Sequence, residues 1–182
     1  NFLWTNSEGC SDTASVVVTA KPNAGTDKIV TCAILPGGSA TMTGTGSGTW
    51  TAQTGNPGTA TITTPTSPTT TITTYSAAGT YNFIWTNGSG CTDTASVTVT
   101  AKPDAGVDKS VSCLTSFPGG SATMSATGSG TWTAQTGNPG TSTITTPSSA
   151  TTTITTFSVA GTYNYIWTNG SGCTDTASVV VT

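Results

Sequence analysis

The chain has 182 residues, with four lysines, no arginine, no histidine and seven acidic residues, giving a net charge of −3. That balance excludes a basic nucleic-acid groove, which needs clustered Lys and Arg. Without histidine or a short Cys-x-x-Cys spacing it also argues against a zinc site. No apolar run approaches the ~20 residues of a membrane span.

The first twenty residues, Asn1 to Ala20, read as the end of a repeat. Trp4, Cys10 and Asp12-Thr13-Ala14 recur as Trp85, Cys91 and Asp93-Thr94-Ala95, and a full copy follows at a spacing of about 81–82 residues. Self-similarity at a fixed period marks an array of supersecondary units. The expected organisation is 1–20 as the last two strands of a preceding module, 21–101 as one module and 102–182 as the next. Since the chain starts inside a module, the expectation is a segment of a longer array.

Within the first full module, residues 28–32 read as a first strand and Pro36-Gly37-Gly38 as a turn. Strands follow at 39–43 and 49–53, separated by a glycine-rich loop. Residues 59–64 form a short fourth strand ended by Pro65 and Pro68, and 69–75 a fifth. Gly79-Thr80 leads into a sixth strand at 81–86, Asn87-Gly88 makes a hairpin turn, and 91–100 is the seventh. Short strands at turn-marked intervals with no helical period predict an all-β fold of tandem antiparallel Ig-like β-sandwiches, about seven strands each. Alternation in the last strand puts Ala95, Val97 and Val99 in the core and Thr94, Ser96 and Thr98 outside. The linkers at 20–25 and 101–106 are short and stiffened by Pro22 and Pro103, so a semi-rigid rod is expected.

Each module carries one cysteine near its start and one near its end. Pairing them within modules gives Cys32–Cys91 and Cys113–Cys173 and leaves Cys10 for a preceding copy; buried free thiols are the alternative. Paired cysteines in small modules point to an oxidising compartment.

Several motifs together resemble the immunoglobulin-like and PKD-like repeats of large Bacteroidota surface adhesins, including the gliding-motility adhesins. They are Ala24-Gly25-x-Asp27-x-x-Val30-x-Cys32, Ser39-Ala40-Thr41-Met42, Gly48-Thr49-Trp50, Ala78-Gly79-Thr80-Tyr81-x-Phe83-x-Trp85 and Gly90-Cys91-Thr92-Asp93. The resemblance implies export, attachment at the cell surface, disulfides within domains and no catalytic residues. The function expected from it is a structural stalk or filament giving length and stiffness. The expected partners are neighbouring repeats, identical subunits in a fibre or surface glycans.

Other residues admit more than one role. Tyr81 and Tyr163 stand where a tyrosine corner belongs. Trp50, Trp85, Trp132 and Trp167 suit either a core or a carbohydrate-stacking platform, the latter making the chain a multivalent sugar- or surface-binding module. Rows such as Thr61-Ile62-Thr63-Thr64 raise an ice-binding surface as a weaker rival. Asp12-Thr13-Ala14, Asp93-Thr94-Ala95 and Asp175-Thr176-Ala177 resemble the Bacteroidota O-glycosylation acceptor, marking Thr13, Thr94 and Thr176. Asp27, Asp104 and Asp108 lie near the linkers but are too few for a calcium site. No cofactor and no metal are expected, and with no histidine, nucleophile–base pair or carboxylate dyad, neither is catalysis.

Overall fold

The computed structural model describes residues 1–112 and 114–182, and no helix forms among them. A two-stranded hairpin, β1 (Phe2–Thr5) and β2 (Ser11–Ala14), precedes two copies of one seven-stranded unit. The first unit comprises β3 (Lys28–Ala33), β4 (Gly37–Thr43), β5 (Gly48–Ala52), β6 (Thr61–Ile62), β7 (Thr69–Tyr75), β8 (Gly79–Asn87) and β9 (Thr92–Ala101). The second comprises β10 (Lys109–Val111), β11 (Gly119–Ser125), β12 (Gly130–Ala134), β13 (Thr143–Ile144), β14 (Thr151–Phe157), β15 (Gly161–Asn169) and β16 (Thr174–Val181).

In each unit a four-stranded sheet faces a three-stranded one. The orders are β3-β9-β8-β5 against β4-β7-β6, and β10-β16-β15-β12 against β11-β14-β13. This is an all-β Ig-like sandwich. It departs from a purely antiparallel scheme at one place: the first strand runs parallel to the last, with Lys28 opposite Val97 and Val30 opposite Val99, and likewise Lys109 opposite Val179.

The alternation read in the last strand is the alternation of burial. Ala95, Val97 and Val99 are buried, and the residues between them are not. The inward faces of both sheets meet over Trp50, Trp85, Phe83, Tyr81, Ile72 and Met42, and an equivalent core fills the second unit. Trp50 lies opposite Trp85 across the strands with ring centroids 5.1 Å apart, a tilted pair. Burying such rings dominates the energetics of a domain this small. Each indole N–H still finds an acceptor: Trp50 donates to the Pro68 carbonyl at 3.2 Å and Trp85 to the Thr45 carbonyl at 2.9 Å. The Tyr81 hydroxyl donates back to the Ala77 carbonyl at 3.0 Å, and that of Tyr163 to the Val159 carbonyl at 3.0 Å, closing a tyrosine corner in each unit.

The two cores differ in where they carry an extra hydroxyl. Tyr165 stands where the first unit has Phe83, and its hydroxyl lies 2.6 Å from Ser142 Oγ, a residue replacing Ala60. Tyr75, replaced by Phe157 in the second unit, has a buried hydroxyl with no hydrogen-bond partner among the described residues. Burial pushes its pKa up, and the nearby Tyr81 adds to the effect. The edge-on ring contact with the corner tyrosine is kept in both units, at 5.0 Å. Tyr75→Phe therefore removes an unsatisfied group without opening a cavity. Chemical unfolding should show this variant more stable by about 1 kcal/mol; a loss of similar size would mean the hydroxyl is satisfied after all.

Candidate functional site

The residues with the most specific geometry gather where one unit hands over to the next. The linker leaves β9 and is caught at once. The Lys102 amide donates to the Ala33 carbonyl at 2.9 Å, and Lys102 Nζ pairs with Asp175 at 2.5 Å. The other oxygen of Asp175 accepts the Ala105 amide at 2.9 Å. Asn169, at the hairpin turn between β15 and β16, donates from Nδ2 to the Ala101 carbonyl at 3.3 Å. Its Oδ1 accepts the amides of Ser171 and Cys173, both at 3.0 Å. One asparagine thus shapes the turn and ties it to the incoming linker. Beyond the clamp, Asp104 Oδ1 accepts the Gly106 amide at 2.8 Å, and the Asp104 carbonyl accepts the Thr127 amide at 2.9 Å. Gly106 has a φ of 79°, a conformation that favours glycine.

The hairpin turn delivers Cys173 against the preceding unit, where it forms a disulfide with Cys32, with Cα atoms 5.3 Å apart and 141 residues between them in sequence. The Cys32 end is prepared by an irregularity: the β3–β9 register shifts between Val30 and Ala33. Cys32 takes a φ of 54° there, rare for a residue with a side chain. Its amide donates to Thr100 Oγ1 at 3.2 Å. The extra residue of this bulge re-aims the cysteine side chain out of its own sandwich.

This overturns the pairing expected within modules. Cys32 does not bond Cys91, which is a half-buried free thiol, and Cys173 is taken by Cys32 rather than by Cys113, which lies outside the described residues. The reason is strand direction. The first strand does run beside the last, but parallel to it, so Cys32 emerges beside Thr100 and Ala101 at the trailing end of β9. Cys91 precedes β9, and ten residues of extended strand put it ~30 Å away. The cysteine within reach of Cys32 is therefore Cys173, at the β15–β16 hairpin of the next unit.

The same clamp stands at the leading end of the first unit. Lys21 Nζ pairs with Asp93 at 2.6 Å, the Ala24 amide donates to Asp93 at 2.8 Å, and Asn87 Nδ2 donates to the Ala20 carbonyl at 3.3 Å. Asn23 substitutes for Asp104, accepting the Gly25 amide at 2.7 Å, so the position needs a side-chain oxygen rather than a charge.

The remaining candidate residues do not converge on a ligand. Trp50, Trp85, Trp132 and Trp167 are at most 1% exposed, which removes them from any carbohydrate-stacking platform. Asp27 and Asp108 accept the amides of Ser96 and Ser178, each at 2.7 Å, fastening the first strand to the last. Among the described residues no group of three or more His, Cys, Asp or Glu is placed to hold a metal. Thr13, Thr94 and Thr176 are exposed on β2, β9 and β16, each directly after the aspartate of its motif. The clamp itself was missed in the sequence, although Asp93, Asp175, Lys21 and Lys102 were all visible as rare charges recurring at the module spacing.

No protein-family model matches the chain, and no curated protein matches it. Among solved structures it is similar to the paired Ig domains of DIP-gamma IG1+IG2, at 10% identity over 90% of this chain and 97% of that one, with a TM-score of 0.38. It is also similar to the insect immune protein hemolin, at 15% identity over 92% of this chain and 48% of that one, with a TM-score of 0.46. A third is the Bacteroides ovatus mixed-linkage glucan utilization protein SGBP-B, at 17% identity over 85% of this chain and 43% of that one, with a TM-score of 0.30.

Asp93 and Asp175 have carboxyls held below the ordinary carboxylate range, first by the amide bonds from Ala24 and Ala105 and then by the lysine ammoniums. A group with a lowered folded pKa adds stability above its unfolded value of ~3.9, and that contribution is lost as pH falls through the folded value. On titration from pH 5 to pH 2, the Ala24 and Ala105 amide resonances should move with midpoints below ~3.9. Asp175→Asn should abolish the movement at Ala105. A midpoint at or above the ordinary value would mean the clamp is not formed in solution.

Proposed function

We propose that the chain is a structural repeat segment of a secreted bacterial surface filament or adhesin stalk, whose task is length and stiffness. The observation that carries this reading is the disulfide across the junction, which joins consecutive modules through side chains as well as through the main chain. Such a bond gives a load-bearing rod resistance to bending and extension. The linker supports the same reading: Lys102, Asp175, Asn169 and Ala33 hold it at both ends, leaving it little freedom. A structural disulfide between modules suits an oxidising, extracellular setting.

The face of the three-stranded sheet adds a second element. Ser39, Thr41 and Thr43 pair across strands with Thr73, Thr71 and Thr69. These hydroxyls solvate the rod without charge. The exposed Thr13, Thr94 and Thr176 are proposed O-glycan acceptors on the same rod, spaced one per module.

Native material tests both parts. Electron microscopy should show thin unbranched fibres with an axial repeat of about 35–45 Å per module, the length of strands of ~7–9 residues plus a short linker. Intact-mass measurement should exceed the sequence mass by glycan increments that vanish when Thr13→Val, Thr94→Val and Thr176→Val are combined. Globular particles would overturn the filament reading, and an unmodified mass would remove the glycans while leaving it.

A further inference from the structure

Three hairpin turns share one geometry. The amides of Asn6, Asn87 and Asn169 donate across their turns to the carbonyls of Cys10, Cys91 and Cys173, at 2.9, 3.0 and 3.0 Å. Each asparagine Oδ1 accepts two further amides: Glu8 and Cys10 at 3.0 and 2.9 Å, Ser89 and Cys91 at 3.1 and 3.0 Å, and Ser171 and Cys173 both at 3.0 Å. The turns differ at the next residue, which is Ser7 in the first and Gly88 or Gly170 in the others. The fold does not require either glycine. Neither takes a left-handed backbone conformation, and a Cβ on either would meet no atom within 4 Å. Gly172, by contrast, has a φ of 78°. Gly88 and Gly170 are exposed, and among the described residues neither amide donates a hydrogen bond within the chain.

We propose that Asn169-Gly170 is a self-modification site, at which the turn converts its own asparagine to isoaspartate and so loosens the junction with age. Asn87-Gly88 is the same site one module earlier. The Gly170 nitrogen, once deprotonated, attacks Cγ of Asn169. The negative charge of the tetrahedral intermediate develops on Oδ1, where the Ser171 and Cys173 amides already point, an oxyanion-hole arrangement. The bond from Cγ to Nδ2 then breaks and ammonia leaves, closing a succinimide ring. Water adds to one of the two ring carbonyls. Addition at Cγ gives aspartate, and addition at the main-chain carbonyl gives isoaspartate, whose chain runs on through Cγ. The balance is one water taken up and one ammonia released, with nothing oxidised or reduced.

Other asparagines lack one requirement or another. Asn56 and Asn138 precede prolines, whose nitrogen has no proton to lose. Asn23 precedes Ala24, whose amide is taken by Asp93. Asn6 has the turn and the two amides, but the Ser7 side chain crowds the ring that the attack must close. The product matters because Asn169 carries the junction contact. Isoaspartate removes the Nδ2 donor to the Ala101 carbonyl, and it adds a main-chain atom to the turn that aims Cys173, which is only 1% exposed, at Cys32. The inference does not depend on the filament reading, since the junction is present in this chain whatever its task.

The test incubates the full oxidised chain in mildly alkaline buffer and follows it by peptide mapping with isoaspartyl methyltransferase labelling. Asn87 and Asn169 should convert, faster as pH rises, while Asn6 stays an amide. Gly170→Ser, which places the Ser7 residue type in an open position, should lower conversion at Asn169 to that of Asn6 and leave Asn87 converting. Reduction of the Cys32–Cys173 disulfide by dithiothreitol should quicken in proportion to the isoaspartate at residue 169, and Gly170→Ser should prevent the change. Conversion at Asn169 no faster than at Asn6 overturns the modification. Conversion with an unchanged rate of disulfide reduction overturns its effect on the junction. Neither result touches the filament reading, which fibre imaging decides.

Discussion

The parallel pairing of each first strand with its own last strand is the constraint from which the junction follows. Val30 opposite Val99 fixes the first strand's direction, and the register shift before Ala33 releases Cys32 at the end where the chain leaves the sandwich. Had the strands been antiparallel, the cysteine would have emerged at the leading end, beside Cys91, and the module would have closed on itself. Direction alone converts a domain disulfide into a bond between domains. The charged clamp depends on the same geometry, because Lys102 can reach Asp175 only where the trailing end of one sandwich meets the leading hairpin of the next.

The consequence is mechanical. A bond between residues 32 and 173 encloses most of both sandwiches and the whole linker within one covalent loop. Tension applied at the ends passes from the first strand of one unit through sulfur to the last strand of the next, and the enclosed residues are not extended. In the chain-entropy model a loop of this size stabilises by about 5 kcal/mol, and it does so for two sandwiches jointly. The clamp is a weaker element, since Lys21 and Lys102 are well exposed and such pairs contribute ~0–1 kcal/mol each. Its value is orientation: the ion pair and the Asn169 bond hold the hairpin turn where the cysteine has to be.

Much of this was legible in the residues. Seven strands per unit, the buried face of the last strand and the tyrosine corner all follow from local pattern: alternation at Ala95, Val97 and Val99, turn glycines, and Tyr81 after Ala-Gly-Thr. These features are set by neighbours in sequence. The disulfide was not legible, because it depends on which way a first strand of six residues runs relative to a strand more than sixty positions away, and Lys28 to Ala33 carries no local mark of direction. The role of Asp93 and Asp175 was hidden for the same reason. Read locally they belong to an Asp-Thr-Ala motif; only the assembled junction shows the carboxylate receiving the linker amide. The tryptophans were ambiguous in sequence because a stacking platform and a core use the same residue, and burial separates the two.

Single-molecule extension of the oxidised chain between its termini tests the junction bond most directly. Without reductant, the chain should show no module-sized unfolding step. After reductant cleaves one disulfide, both sandwiches should become extensible together, releasing about 50 nm in all, the reach of ~140 residues at ~3.5 Å each. Module-sized steps before any reductant is added, or two independent reduction events each releasing about 20 nm from loops of ~60 residues, would contradict a bond between modules.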